Sequence, residues 1–218
     1  MSPPDPNGRD SLRARLRAAT GPAHRALEDS LDWRARVATL AGYRDLLARL
    51  HGFHAAWEPA IGMELADEPF LGPRRRLALL AADLGHLGLS PTGIGALPGP
   101  GPVRLPGAGA AMGALYVLEG STLGGQVIGR HITSLHGFSG DGLGYYRAHG
   151  PRTGAMWSIF LERLERFSDD HTAVTAGAVA TFAALRVWLC GPQPGEAAGS
   201  ITMPERETRL SETIMRKQ

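Results

Sequence analysis

Hydrophobic residues recur along this chain at helical spacing, and nowhere does a strand-like alternation of apolar and polar residues persist. The first amphipathic stretch begins after a cap at Asp10 or Ser11 and runs to about Leu31. Five further helices are predicted, over 39–62, 74–87, 108–135, 154–167 and 170–189. The pattern therefore predicts an all-α protein with about six main helices packed around one core.

The chain ends and one long stretch fall outside this helical pattern. Between 88 and 109, 12 of the 22 residues are Gly or Pro, which predicts a surface loop inside one domain. Residues 1–9 are polar and proline-rich and are expected to form a flexible arm. Residues 192–218 are mostly polar and are expected to form a mobile tail. This leaves 10–191 as a single helical domain.

Composition narrows the class of protein. With 218 residues, 43% of them hydrophobic, the chain can bury one sizeable core. The net charge is +2 and no long basic run occurs, so the sequence does not indicate nucleic-acid binding; the arginines at 74–76 are expected at a solvated helix start. A single cysteine excludes an internal disulfide. No apolar signal segment or 18-residue apolar run occurs, which predicts a cytoplasmic protein without a membrane span.

Three polar residues of the first helix share one side of it. Arg17, His24 and Glu28 point within roughly 40° of one another at helical geometry. A neutral imidazole can ligate a metal, and Glu28 can accept a hydrogen bond from the other ring nitrogen. Arg17 can meet an anionic group of the same ligand. The alternative is a surface histidine with a glutamate one turn later, and the spacing leaves both open.

A glycine cluster interrupts the fourth helix, in the stretch "LEGSTLGGQVIGRHI". Gly120, Gly124 and Gly125 each cost roughly 1 kcal/mol relative to alanine inside a helix. Close helix packing, a helix break at Gly120 and a flat ligand lying on bare backbone all explain them; a phosphate-binding loop is a weak explanation because the lysine is missing. A planar macrocycle with a central metal and two carboxylates would use both this surface and the His24 group.

These segments resemble the heme oxygenase family, particularly its bacterial biliverdin-producing members that supply chromophore to bacteriophytochromes. "TGPAHRALE" resembles the family's proximal helix, and "LYVLEGSTLGGQVI" resembles its distal helix. "YYRAHG" and "MWSIFLERL" are similar to the bacterial branch. The resemblance covers roughly 10–190.

The resemblance implies a helical fold that sandwiches heme between the proximal helix and a kinked distal helix. It implies His24 as the iron ligand, Glu28 as the partner of its other nitrogen and Arg17 as a propionate contact. The positions matched on the distal helix are Tyr116, Gly120, Ser121, Gly124 and Gly125. The implied activity is cleavage of heme, both cofactor and substrate, to biliverdin, CO and iron. It uses O2 and electrons from an external reductase or ferredoxin, with a bacteriophytochrome as a possible biliverdin acceptor.

The sequence departs from the family pattern at several positions. Many members carry aspartate directly after the first distal glycine, whereas Ser121 brings no charge. Tyr116 is offset by one, and the later basic residues that pair with propionates have no match; Arg152, Arg163 and Arg186 are the nearest candidates. These departures motivate a second hypothesis, a heme carrier or sensor that does not turn heme over. A third is a helical protein without heme, whose glycines serve packing alone.

Overall fold

The computed structural model of the protein describes residues 11–138, 140–167 and 170–192. The all-α prediction is confirmed, because these residues form helices and no strand, apart from one isolated bridge between Gly140 and Gly142. The arm predicted over 1–9 lies outside the described residues, and so does the tail predicted over 192–218, except for its first residue.

Ten α-helices occur in the described part of the chain, and six of them have ten or more residues. In chain order they are α1 Leu12–Leu31, α2 Trp33–Arg36, α3 Leu40–Leu65, α4 Glu68–Leu71, α5 Leu77–His86, α6 Pro91–Gly95, α7 Gly107–His136, α8 Gly144–Arg147, α9 Thr153–Arg166 and α10 His171–Cys190. The six longer helices are those that the hydrophobic pattern predicts. The four short ones have too few residues to show a helical period.

Polar side chains start three of the long helices. The hydroxyl of Ser11 accepts a hydrogen bond from the backbone N–H of Ala14, and Thr39 and Asp170 cap α3 and α10 in the same way. The predicted start of α1 at Ser11 is therefore confirmed. α3 continues three residues past the predicted end and stops at Leu65, where Ala66 takes a left-handed conformation.

Two predictions about helix boundaries are wrong. The third helix begins at Leu77 rather than at 74, and the expectation of solvated arginines at its start fails because Arg74 and Arg76 are buried. Both side chains lie beside the buried carboxylate of Glu119 on α7. The proposed helix break at Gly120 is also excluded, since α7 runs as one helix of 30 residues through the whole glycine cluster.

The first half of α7 is fixed against α10 by two glycines. A Cβ on Gly113 would collide with the carbonyl oxygen of Val174, and a Cβ on Gly177 would lie 2.6 Å from the Cα of Ala110. α10 also packs against α1. It has the length and hydropathy of a membrane-spanning helix, as core helices often do, and eight of its residues are buried in the fold. The interface of α1, α7 and α10 thereby sets the walls of a cleft.

Candidate functional site

A cleft lies between α1 and α7 and consists of two adjoining cavities. The inner cavity has a volume of about 400 Å³ and the outer cavity about 500 Å³. Six residues line both: His24, Leu27, Val117, Gly120, Ser121 and Leu185. Cavities of this size are typical of small-molecule sites. The structure therefore brings the α1 histidine and the α7 glycines to one cleft.

His24 stands on the α1 wall of the cleft with 53% of its side chain exposed. The edge of its ring meets Phe182 of α10, with ring centroids 5.4 Å apart. The Oε2 atom of Glu28 lies 3.5 Å from Nδ1, which is longer than a normal hydrogen bond. Glu28 thus approaches Nδ1, and Nε2 is the ring nitrogen that could ligate a metal.

The α7 wall is bare where the glycine cluster faces the cleft. A Cβ added at Gly124 would meet no atom within 4 Å. Added at Gly120 or Gly125, it would meet only ordinary contacts, with the Trp157 ring at 3.7 Å and with Tyr146 at 3.5 Å. Packing therefore does not require these three glycines, in contrast to Gly113. The space that they keep open is the cleft itself.

Basic residues gather at the outer cavity. Arg17 lines it, together with two arginines that the sequence pattern did not single out, Arg13 and Arg25. Tyr116 lines the same cavity, and burial raises the pKa of its hydroxyl although a hydrogen bond with Thr20 and the two nearby arginines of α1 oppose this. None of the candidates Arg152, Arg163 and Arg186 lines either cavity. Arg163 instead pairs with Asp67 at 3.1 Å.

The inner cavity is mainly apolar but ends on a buried polar group. Leu46, Leu50 and Phe53 of α3 form part of its wall. Beside them, Nδ1 of His54 lies 2.8 Å from Oε1 of Glu58, and Nε2 lies 3.4 Å from the hydroxyl of Tyr145.

The sequence reading missed His54, Glu58 and Tyr145, although one signal for two of them is present. "HAAWE" at 54–58 repeats the His-x-x-x-Glu spacing of "HRALE" at 24–28. The spacing alone does not tell a buried pair from an exposed one. The two pairs differ sharply in the structure, since the side chain of His54 is 2% exposed and that of His24 is 53% exposed.

Ser121 lies on the shared wall of the two cavities, and its hydroxyl donates to the carbonyl oxygen of Leu118 at 2.7 Å. It also hydrogen-bonds with Tyr145. Behind it, on the other side of α7, Glu119 is buried with Arg74, Arg76 and His149. This ion cluster holds α7 next to the first glycine of the cluster.

The donor set of the cleft suits a metal that arrives inside an organic ligand. In the described part of the chain, no three His, Cys, Asp or Glu residues lie together as they would to hold a bare metal ion. A single imidazole, a bare helix surface opposite and cations at the mouth instead fit a flat metal complex with anionic groups.

No protein-family model and no curated protein matches the sequence. Solved structures do match the fold. Heme oxygenase from Neisseria meningitidis, determined with NO and CO bound, is 24% identical with a TM-score of 0.68, covering 89% of this chain and all of that one. Heme oxygenase 2 from Chlamydomonas reinhardtii, determined without heme, is 15% identical with a TM-score of 0.65, covering 85% of this chain and all of that one. The chain therefore has the heme oxygenase fold.

Proposed function

We propose that this chain, which has the heme oxygenase fold, is a heme oxygenase that cleaves heme to biliverdin, CO and iron with O2 and external electrons. The observation that carries the proposal is the pairing across one cleft of His24 with the open backbone of Gly120 and Gly124. Glycines that serve packing alone would need no open backbone opposite a histidine, whereas a flat ligand held between α1 and α7 uses both walls.

The residues present fit heme on three grounds. His24 would hold the iron through Nε2, with Glu28 3.5 Å from the other ring nitrogen. Gly124 leaves space that a single Cβ would fill, so the face of a porphyrin can approach the α7 backbone. Arg17 at the outer cavity would pair with a propionate, and the apolar inner cavity would take the rest of the ring.

Bound heme would supply the iron that activates O2 and the ring carbon that is oxidised. The chain's own residues would bind and orient it. Leu27, Val117 and Leu185 exclude water from the middle of the cleft because they line both cavities. Ser121 holds a hydroxyl at the α7 wall, but this hydroxyl already donates to Leu118 and carries no charge. Electrons would come from a reductase or ferredoxin, and a bacteriophytochrome is a proposed acceptor of the product.

The test is a titration of the protein with hemin, followed by a single turnover with reductant and O2. We expect a Soret band that saturates at one hemin per chain and then a bilin spectrum. His24→Ala should abolish the iron–histidine stretch in the resonance Raman spectrum of the ferrous complex. The proposal fails if stoichiometric hemin gives no Soret shift, and His24 is not the ligand if that stretch persists in the variant.

A non-catalytic heme carrier or sensor is the second candidate, and the uncharged Ser121 is the observation that favours it. In that case the same single turnover leaves a stable oxygenated heme spectrum and no bilin. The third hypothesis, glycines that serve packing alone, is disfavoured because Gly120, Gly124 and Gly125 contact no element closely enough to exclude a side chain.

A further inference from the structure

The ion cluster of Arg74, Arg76, Glu119 and His149 lies behind the α7 wall, directly before the first glycine of that wall. The four side chains are at most 6% exposed. Nε of Arg74 lies 3.1 Å from Oε1 of Glu119, and Nη2 of Arg76 lies 4.0 Å from Oε2. Within 119–125 the charged residue is Glu119. The cluster is therefore the electrostatic attachment of this part of α7.

Both arginines are held in place by groups on other elements. Arg74 donates to the carbonyl oxygen of Phe70 on α4 at 2.8 Å and to that of Met156 on α9 at 3.3 Å. Desolvation and the neighbouring arginines lower the pKa of His149 to about 4, so its ring is neutral near pH 7. Its Nε2 atom accepts from Arg76 at 2.6 Å. The carboxylate on α7 thus faces two guanidinium groups that α4, α9 and the segment after α8 position.

The segment that carries His149 also reaches the inner cavity. Ala148 has φ 46° and ψ −109°, a backbone conformation that L residues rarely adopt and that persists where the surrounding structure fixes it. Tyr145 and Tyr146, just before it, line the inner cavity, and the N–H group of Tyr145 donates to Asp83 of α5 at 2.8 Å. This segment is therefore held by α5 before the turn and by the ion cluster after it.

The bare part of α7 contributes few side-chain contacts to its own position. A Cβ at Gly124 would meet no atom within 4 Å, and the hydroxyl of Ser121 bonds within α7 itself. The close contact of Gly113 with α10 lies about two turns earlier. Glu119 stands one residue before Gly120 and is buried. Its carboxylate is therefore a contact through which the rest of the fold can set where the bare backbone lies.

Stability alone is a weak explanation for a cluster of this kind. Desolvation of buried charges offsets much of their attraction, and well-packed apolar residues of the same volume often stabilise a core equally well. In the part of the chain that the structure describes, both carboxylate oxygens of Glu119 lack a hydrogen-bond partner, so their contact with the arginines is one of charge. Hydrophobic contact is non-directional, whereas charge attraction in a site without water falls when the carboxylate moves away.

We propose that Glu119 is a positioning residue for the α7 wall, which through the ion cluster fixes the distance between the backbone at Gly120 and a flat ligand in the cleft. The inference rests on the proposed function, since the surface that Glu119 positions is the one on which heme would lie. Glu119 itself lines neither cavity. Because the α7 backbone limits the space above the ring, its position also affects which ring carbon is oxidised.

Two variants separate positioning from stability. Glu119→Leu leaves Arg74 buried without its nearest counter-ion, so the unfolding midpoint should fall. Adding Arg74→Met removes that charge as well and keeps the net charge of the cluster, so the midpoint should return to near the wild-type value. The matched control carries the same substitutions at an exposed pair, Glu68→Leu with Arg75→Met, whose Oε2 and Nη2 atoms lie 2.6 Å apart outside both cavities.

Four measurements compare these variants with wild type. Urea unfolding and amide hydrogen exchange of α7 use the protein without hemin, and the C–O stretch of the ferrous CO complex and the biliverdin isomer ratio use the loaded protein. The double variant should combine a wild-type midpoint with faster exchange over 119–125, because this stretch opens locally. Its C–O band should shift or broaden and its isomer ratio should change, since the backbone at Gly120 no longer keeps one distance. The control pair should match wild type throughout.

Each outcome decides the question. A double variant that regains stability, exchange and C–O band together overturns the proposal, because apolar contact then replaces the cluster fully. Should the double variant not fold by circular dichroism, Glu119→Asp keeps the charge but shortens the side chain by one methylene group. It should shift the C–O band, and an unchanged band overturns the proposal. Wild-type protein without a Soret band overturns the proposed function instead, and hydrogen exchange then still shows whether Glu119 positions α7.

Discussion

At the scale of single residues, Gly124 and Gly113 show that one residue type serves two purposes on the same helix. Gly113 lets α7 approach α10, whereas Gly124 faces the open cleft. Gly124→Val should therefore leave the free energy of unfolding unchanged or slightly higher, because valine is the better helix former, and should abolish the hemin Soret band. Gly113→Val should lower the unfolding midpoint strongly, because backbone must move. Urea unfolding and hemin titration of both variants check this, and equal destabilisation would contradict the assignment of Gly124 to the cleft.

His149 gives a second prediction at this scale, on pH. Its side chain is buried, and desolvation together with Arg76, Arg74 and Arg152 lowers its pKa to about 4. As the pH falls from 6.5 toward 4, the unfolded chain binds a proton at this position and the folded chain does not, so stability falls. His149→Gln removes that loss and keeps an acceptor for Arg76. Urea unfolding at pH 7.5 and 4.5 should show a smaller decrease in the variant than in wild type.

The matched control for this prediction is His171→Gln at the start of α10, outside the ion cluster. Its decrease in stability between the two pH values should equal that of wild type. A His149→Gln variant that loses as much stability as wild type would show that His149 titrates normally.

The sequence predicts some of these residues and not others for physical reasons. His24 and the glycines stand out because a helix spacing places them on defined faces, and a glycine in a helix is conspicuous. Arg13 and Arg25 are not predicted as site residues, because arginine is common on the exposed face of a surface helix. The contact between His54 and Tyr145 is not predicted either, because the two residues are 91 positions apart and a local sequence pattern carries no information on such a contact.

At the scale of elements, α1 presents cations one turn apart at the outer cavity. Arg13 and Arg17 are exposed on the same side of the helix and both line that cavity. Each pair with a carboxylate at such an exposed site is worth up to about 1 kcal/mol. The double variant Arg13→Ala with Arg17→Ala should therefore weaken hemin binding about tenfold, and less at high salt.

A chemical control tests whether the carboxylates are responsible. Hemin dimethyl ester lacks the two charges, so the double variant should bind it as tightly as wild type does. Arg44→Ala, which removes one positive charge from α3 outside the cleft, should change neither affinity. An equal loss of affinity for hemin and its ester would place the effect in the shape of α1 instead.

The boundaries of the elements follow from the sequence wherever a cap or a glycine marks them. Thr39 and Asp170 start α3 and α10 as the pattern indicates. The start of α5 is misplaced because Arg74 and Arg76 look like surface residues, and only the distant Glu119 explains their burial. A long-range ion cluster thus overrides a local helix signal.

At the scale of the whole molecule, the cleft lies between α1 and α7, which both belong to one hydrophobic core. A ligand that contacts both helices should therefore stabilise the entire fold. Hemin at 100 times its Kd should add about 2.7 kcal/mol to the free energy of unfolding. For a chain of this size that corresponds to a rise in midpoint of roughly 5–10 °C. Thermal melting followed by circular dichroism measures it, with Gly124→Val as the variant in which hemin should give no rise.

The fold class could be predicted from periodicity and the resemblance, since long amphipathic helices and one core leave few architectures. The cleft could not be predicted in the same way. Its walls come from α1 and α7, its inner end from α3, and its position from two close glycine contacts between α7 and α10. The shape of the cleft depends on the distances between these helices, and a local sequence pattern does not determine those distances.

The attachment of Tyr145 to α5 through Asp83 has a mechanical consequence. α1 and α7 form the two walls between which a flat ligand would lie. Tyr145 is tied to the α7 wall as well, since its hydroxyl hydrogen-bonds with Ser121 and its neighbour Tyr146 lies 3.5 Å from where a Cβ on Gly125 would stand. A ligand that displaces α7 would therefore also displace Tyr145 and act on its backbone hydrogen bond to Asp83 of α5.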